Sequence, residues 1–307
     1  MGGYVLRRLV STVPVLFAIV TLVFLMRPLV PGDPVEIMFF GRSSSPEVIA
    51  DMRRQLGLDD PLVVQYGRYL GDVVRGDLGE SITTRKPVTE EISNRYPETL
   101  KLAVGSLVVS ALVGLIAGIL AAVYKDSLID TLAMLFAMAG ISMPAFWFGL
   151  VMIYFFSVRL GWFSVIPDGS LKSLVLPAAT LGLIASSIVA RLVRSAMLEV
   201  LGQDFIRTAR AKGLEERRVI LRHALGNALI PVVTILGLQF GGLLSGAFII
   251  EAVFAWHGIG ELAVQAFAKR DFPLIQGIVL VIATTYVLVN LFVDLLYAVL
   301  DPRIEYS

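Results

Sequence analysis

His223 and His257 are the only histidines in this 307-residue chain, and cysteine is absent. That removes thiolate nucleophiles, disulfides and cysteine-based metal sites at once. The uncharged run between the two histidines is long enough to cross a bilayer, so they fall on opposite faces and cannot share a metal ion. His223 belongs with the basic residues around it, and His257, in Trp256-His257-Gly258-Ile259-Gly260, reads as a turn residue. No Gly-x-x-x-x-Gly-Lys-Ser/Thr run offers a cradle for phosphates, and neither Gly-x-Ser-x-Gly nor His-Glu-x-x-His occurs. The sequence therefore points to no catalytic, cofactor-binding or metal-ligating residue.

Excess positive charge is concentrated in one segment. Between residues 191 and 222, Arg191, Arg194, Arg207, Arg210, Lys212, Arg217, Arg218 and Arg222 face only Glu199, Asp204, Glu215 and Glu216. Long uncharged runs flank this segment, which makes it a short basic loop between two membrane spans, and the positive-inside rule puts it in the cytoplasm. Ala209, Ala211, Leu214 and residues 219–221 favour a helix, a turn at Gly213 and a second helix. Charge alone does not separate a topological anchor from a docking surface.

The elements that carry this loop follow from composition. The chain is 56% apolar and 17% charged, with a mean hydropathy of +0.79, the profile of an integral membrane protein. Net charge is +1, so no global field suggests a nucleic-acid partner. Uncharged runs predict six spans, over 9–26, 102–123, 132–158, 174–190, 224–250 and 272–293. The first follows Arg7 and Arg8 and is too long for a signal core, so it is expected to be retained with its N-terminus inside. Six spans place both termini in the cytoplasm. The expected division is a cytoplasmic N-terminus and first span over 1–30, an extracytoplasmic insert over 31–98, a membrane core over 99–300 carrying the other five spans and a cytoplasmic loop at about 191–226, and a cytoplasmic tail over 301–307.

The insert begins with Pro31-Gly32-Asp33-Pro34, a rigid helix exit, and carries twelve acids against eight cations. Short amphipathic helices are expected over 46–56, behind Ser45 as a cap, over 61–74 and over 87–95. An insert of this size has too little core to fold alone and must lean on the spans or on a partner.

Inside the spans, glycine and proline suggest packing and bends. Gly114 with Gly118, Gly237 with Gly241 and Gly242 with Gly246 have the small-xxx-small spacing that lets helices approach closely. Pro144 and Pro231 are expected to bend the third and fifth spans. A pathway-facing or hinge role is expected for Pro144, Pro231, Gly241 and Gly242, with Gln239 and Asn290 as uncharged candidates to line a route. The middle of every span lacks ionisable residues, which argues against an ion-coupled secondary transporter.

The order of residues in the basic loop resembles a known family. Arg207-Thr208-Ala209, three residues and Gly213 resemble the EAA loop of ABC importer permeases, and FIRTARAKGL followed by RHALGNALIPVVT resembles the peptide branch. The general consensus starts Glu-Ala-Ala and has a proline after the glycine. Both departures are usual in the peptide and nickel branch. PGDP, LGLDDPLVVQYGRYL, RGDLGESI and Tyr96-Pro97-Glu98-Thr99-Leu100, in that order, extend the resemblance over nearly the whole chain.

The resemblance implies an all-α integral membrane fold of type I importer permeases, in a bacterial or archaeal cytoplasmic membrane. It implies that Phe205, Arg207, Thr208, Ala209, Arg210, Lys212, Gly213 and Leu214 form a coupling helix seated in a groove of an ATPase, with Arg210 and Lys212 pairing with its acids. Partners would be a second homologous permease, two ABC ATPase subunits that bind ATP and Mg, an extracytoplasmic substrate-binding protein, membrane lipid and a peptide substrate. The runs over 140–146, 237–242 and 301–306 look nearest to the glutathione and dipeptide relatives, while nickel importers share the scaffold.

Overall fold

In the computed structural model, residues 2–29, 35, 46–55 and 57–300 are described and form an array of helices. The Pro31–Pro34 exit, the Ser45 cap and the tail over 301–307 lie outside the described residues. Helix α1 spans Gly2–Leu29, α2 Pro46–Gln55, α3 Leu62–Val74 and α4 Val88–Val123. Next come α5 (Leu128–Ser142), α6 (Ala145–Met152, running on as a π turn over Ile153–Arg159), α7 (Leu171–Leu201) and α8 (Asp204–Ala211). A short turn Glu216–Arg218 and a π turn Val219–Ala224 lead into α9 (Leu225–Gly246), followed by α10 (Phe248–Val253), α11 (Ile259–Ala268) and α12 (Phe272–Leu300). Among the described residues, five helices are long and apolar enough to cross a membrane, six if α5 and α6 are limbs of one bent span.

Helix α7 is the axis of the bundle, with 56% of its apolar window buried against 11% for α1 at the periphery. It runs beside α4 along most of its length, and small residues make that contact possible. A methyl group on Gly114 would lie 2.5 Å from the Val189 Cβ, and one on Gly118 would lie 2.6 Å from the Ala190 carbonyl oxygen. The Gly114/Gly118 pair thus serves packing within the chain. Gln239 of α9 stitches the same seam, accepting from Ser110 Oγ at 3.1 Å and donating to the Ala185 carbonyl at 3.0 Å.

Several expected boundaries move. The separate helix over 87–95 is the first part of α4, which passes through Pro97 without a break. Helix α7 continues past Ala190 to Leu201, so the basic loop starts at residue 202 and Arg191 and Arg194 belong to a helix. The cause is neutralisation: Arg194 pairs with Asp130 of α5, and a paired charge does not have to leave the bundle. The expected third span is two helices bent by 108° at Met143, whose extended backbone (ψ 130°) is what the following proline favours. Pro231, by contrast, is carried inside α9, and the irregular turn lies upstream at Val219–Ala224.

The end of the bundle away from the basic loop is built from buried carboxylates. Glu251 is fully buried; its Oε1 accepts from Thr99 Oγ1 at 2.7 Å and its Oε2 from the Gly260 and Glu261 N–H groups at 2.6 and 3.2 Å. It thereby caps α11 and ties it to α4, and Thr99 Oγ1 in turn accepts from the Ile259 N–H at 2.8 Å. Burial pushes the Glu251 carboxyl above the ordinary range, against the pull of these three donors. Gly258 is needed because a Cβ there would lie 2.3 Å from the Glu251 carboxylate. Asp271, equally buried, accepts from the Ile82 and Thr83 N–H groups at 3.1 and 3.0 Å and from Ser81 Oγ, and so holds the 81–84 turn against the start of α12. Val88 and Ile92 then pack with Ile259, Leu262 and Ile278, while Tyr66 of α3 meets Phe24 and Thr21 of α1. The segment before α4 is therefore supported by the spans.

Candidate coupling surface

Helix α8 is short and two-faced. Ile206 and Ala209, three residues apart, are buried and join Val193 and Met197 of α7, Ala122 of α4, and Val219, Ala224 and Ala228 of the lead-in and α9 in one apolar cluster. Phe205, Arg207, Thr208 and Lys212 lie on the exposed side. Burying Ile206 contributes about 1.5–3 kcal/mol. An isolated eight-residue helix is marginal in water, so this seat is what holds α8 in place.

The helix ends in a Schellman motif. Gly213 takes φ +75°, its N–H reaches the Arg210 carbonyl at 2.9 Å, and the Leu214 N–H reaches the Ala209 carbonyl at 3.4 Å. Leu214 and Ala209 also share the apolar cluster, the hydrophobic contact that accompanies this cap. A side chain on Gly213 would meet nothing within 4 Å, so the requirement for glycine is conformational. The turn brings Glu216 back beside the last turn of α8, where both its oxygens accept from Arg210 at 3.1 and 2.6 Å. Within the chain, the Nε and Nη2 donors of Arg210 are engaged by Glu216. Lys212, Arg217, Arg218 and Arg222 are exposed.

Reading the sequence identified Phe205, Arg207, Thr208, Ala209, Arg210, Lys212, Gly213 and Leu214, and the structure gathers all eight on α8 and its cap. It missed Ile206, which anchors the helix; the signal was a large apolar residue three before Ala209, on the same helix face. It also missed Asp130, whose partner Arg194 had been counted with the loop.

The expected pathway residues do not form one cluster. Pro144 starts α6 at the bend, Pro231 is near the start of α9, and Gln239 lies in the α4–α7–α9 seam. Gly241 faces Tyr286 and Val289 of α12, whereas a side chain on Gly242 would meet nothing within 4 Å. Asn290 of α12 has a buried Oδ1 with no hydrogen-bond partner among the described residues. A mostly apolar cavity of about 490 Å³ lies between α4, α9 and α12, lined by Tyr96, Phe240, Thr285 and Phe292 among others.

The chain is similar to known proteins. Residues 114–306 match the family model "Binding-protein-dependent transport system inner membrane component", and residues 1–103 match the model of the N-terminal part of such membrane components. Relatives include the glutathione transport system permease protein GsiC of Salmonella paratyphi A, 46% identical over the whole of both chains, and that of Escherichia coli K12, 44% identical over the same extent. Among solved structures, a chain of the inward-facing MetNI methionine ABC transporter superposes with a TM-score of 0.58 at 21% identity, over 68% of this chain and 96% of that one. At that identity the likeness concerns the fold, and it is the fold of an ABC importer permease. The chain belongs to the inner-membrane components of binding-protein-dependent transport systems, as a permease of the peptide-type ABC importers.

Proposed function

We propose that this chain forms half of the translocation route of an ATP-driven importer of short peptides, with glutathione as the first substrate to test. The observation that carries the reading is α8: a short helix rigidly seated through Ile206 and Ala209, closed by the Gly213 cap, and presenting Phe205 and Arg207 outward. A helix so fixed transmits a push to α4, α7 and α9 instead of yielding to it. In this reading two ATPase subunits, which hold ATP and Mg, dock on this surface and on that of a second, homologous permease. An extracytoplasmic binding protein delivers the substrate at the far end, and both termini lie in the cytoplasm. The substrate class is supported by the relatives at 44–46% identity over full length, which are named glutathione permeases.

The test is uptake by the reconstituted complex in proteoliposomes, with its binding protein and ATP, of labelled glutathione, dipeptides and nickel. ATP-dependent accumulation of glutathione or a dipeptide is expected. Accumulation of nickel alone, or of nothing, would overturn the reading. Orientation is checked by labelling Val74→Cys and Glu215→Cys with an impermeant thiol reagent in intact cells, where only the first is expected to react.

A further inference from the structure

The two limbs of the bent pair α5–α6 pack on different parts of α7. At the start of the first limb, Asp130 of α5 is 5% exposed and accepts a two-pronged hydrogen bond from Arg194 of α7, Nε to Oδ1 and Nη2 to Oδ2, both at 2.6 Å. Oδ2 also accepts from the Asp126 N–H at 3.0 Å, which fixes the α4–α5 turn to the same carboxylate. Arg194 is next to Val193 in a stretch of α7 whose Val193 and Met197 are fully buried against the seat of α8. Beyond the bend α6 packs on the first part of α7, near Leu176 and Leu181, and Gly149 fits against Ile250 and Val253 of α10 and Phe254 just after it, α10 being the helix that carries Glu251. The 108° break over 142–145 therefore lies between a limb tied to the coupling helix and a limb tied to the far end.

We infer that the Asp130–Arg194 pair is the tie that makes α5 move with the coupling helix, so that relative motion of the two ends is taken up at the α5–α6 break. A buried ion pair is a poor source of stability, because desolvation offsets the attraction, but its bidentate geometry fixes the register of two helices that apolar contact would let slide. Asp130 and Arg194 are in this sense positioning residues for transport. The inference rests on the importer reading above.

The experiment compares the wild-type complex with Asp130→Asn, Arg194→Lys, the exchange Asp130→Arg/Arg194→Asp, and the apolar pair Asp130→Leu/Arg194→Met. For each, membrane level, pull-down of the ATPases, ATP hydrolysis and substrate accumulated per ATP hydrolysed are measured together. Spin labels at Leu135 of α5 and Leu221 in the lead-in to α9, both exposed, report their separation without nucleotide and in the vanadate-trapped state. In the wild type this separation is expected to stay constant between states. The apolar pair is expected to assemble and hydrolyse ATP, yet to lose about tenfold in substrate per ATP, with a separation that changes between states. Asp130→Asn should act in the same direction, and the exchange should recover part of the ratio.

An apolar pair or Asp130→Asn with the wild-type ratio and a constant separation would overturn the tie. So would a uniform fall of membrane level, hydrolysis and uptake with an unchanged ratio, since that is the mark of a purely structural pair. A wild-type complex that transports no peptide would instead defeat the importer reading, even if the label separation behaves as expected.

Discussion

At the far end Glu251 is held by backbone N–H groups and a threonine hydroxyl, whereas at the basic end Asp130 is held by the guanidinium of Arg194. Both carboxylates are buried, yet the consequences differ. The N–H donors belong to the first turn of α11, so Glu251 and the start of that helix are fixed together. A guanidinium is a side chain on a second helix, so the Asp130–Arg194 pair joins α5 to α7. The far end is thus built as one fixed assembly, and the basic end as helices clamped around a short surface helix.

The largest expected effect tests the fixed assembly. Glu251→Ala leaves the Gly260 and Glu261 N–H groups and the Thr99 hydroxyl without their partner and is expected to cost about 3 kcal/mol or more, read as a lowered Tm of the purified complex in detergent. A Tm within a degree of wild type would show that the far end does not depend on this residue. At the other end, Ile206→Ala is expected to cost about 2–4 kcal/mol by opening a cavity beneath α8. Hydrogen exchange should then rise across residues 204–214 before it rises at 251–271, and equal deprotection of both ends would erase the distinction between them.

A smaller effect is expected at the cap. Gly213→Val forces a β-branched residue to φ +75°, costing about 1–2 kcal/mol, with no clash to add since the site is open. Uptake and ATPase pull-down should fall while membrane level is retained. Normal uptake at normal membrane level would mean that the loop serves only as an anchor.

The smallest effect is on pH dependence, and it again concerns the far end. The folded pKa of Glu251 is raised, so its contribution is full below the ordinary carboxylate range and is lost as the pH rises through the raised value. Tm should accordingly decline from about pH 5 upward. Glu251→Gln, whose amide oxygen takes the two N–H donors and whose NH2 faces Thr99 Oγ1, should be well tolerated and flatten this slope. An unchanged slope in Glu251→Gln would assign it to another group.

The difference between the ends also explains what could be read in the sequence. Spans are legible because uncharged runs of bilayer length have few other uses, and Gly213 is legible because a helix stop at that point calls for a residue at positive φ. Arg194 misled because a charge was equated with leaving the membrane, although Asp130, 64 residues earlier, neutralises it. The helix expected over 87–95 runs on through Pro97 into the second span, and the engagement of Arg210 by Glu216 depends on a turn whose path only the fold reveals. Glu251 directly follows the uncharged run over 224–250. Nothing nearby in sequence showed that Thr99, 152 residues before it, would reach its carboxylate.

The central claim, that the exposed face of α8 is where an ATPase docks, is tested most directly at Phe205, which is 44% exposed and outside the buried seat of the helix. Phe205→Arg should leave Tm and membrane level unchanged while abolishing ATPase pull-down and substrate uptake. Retained pull-down and uptake in that variant would contradict the account.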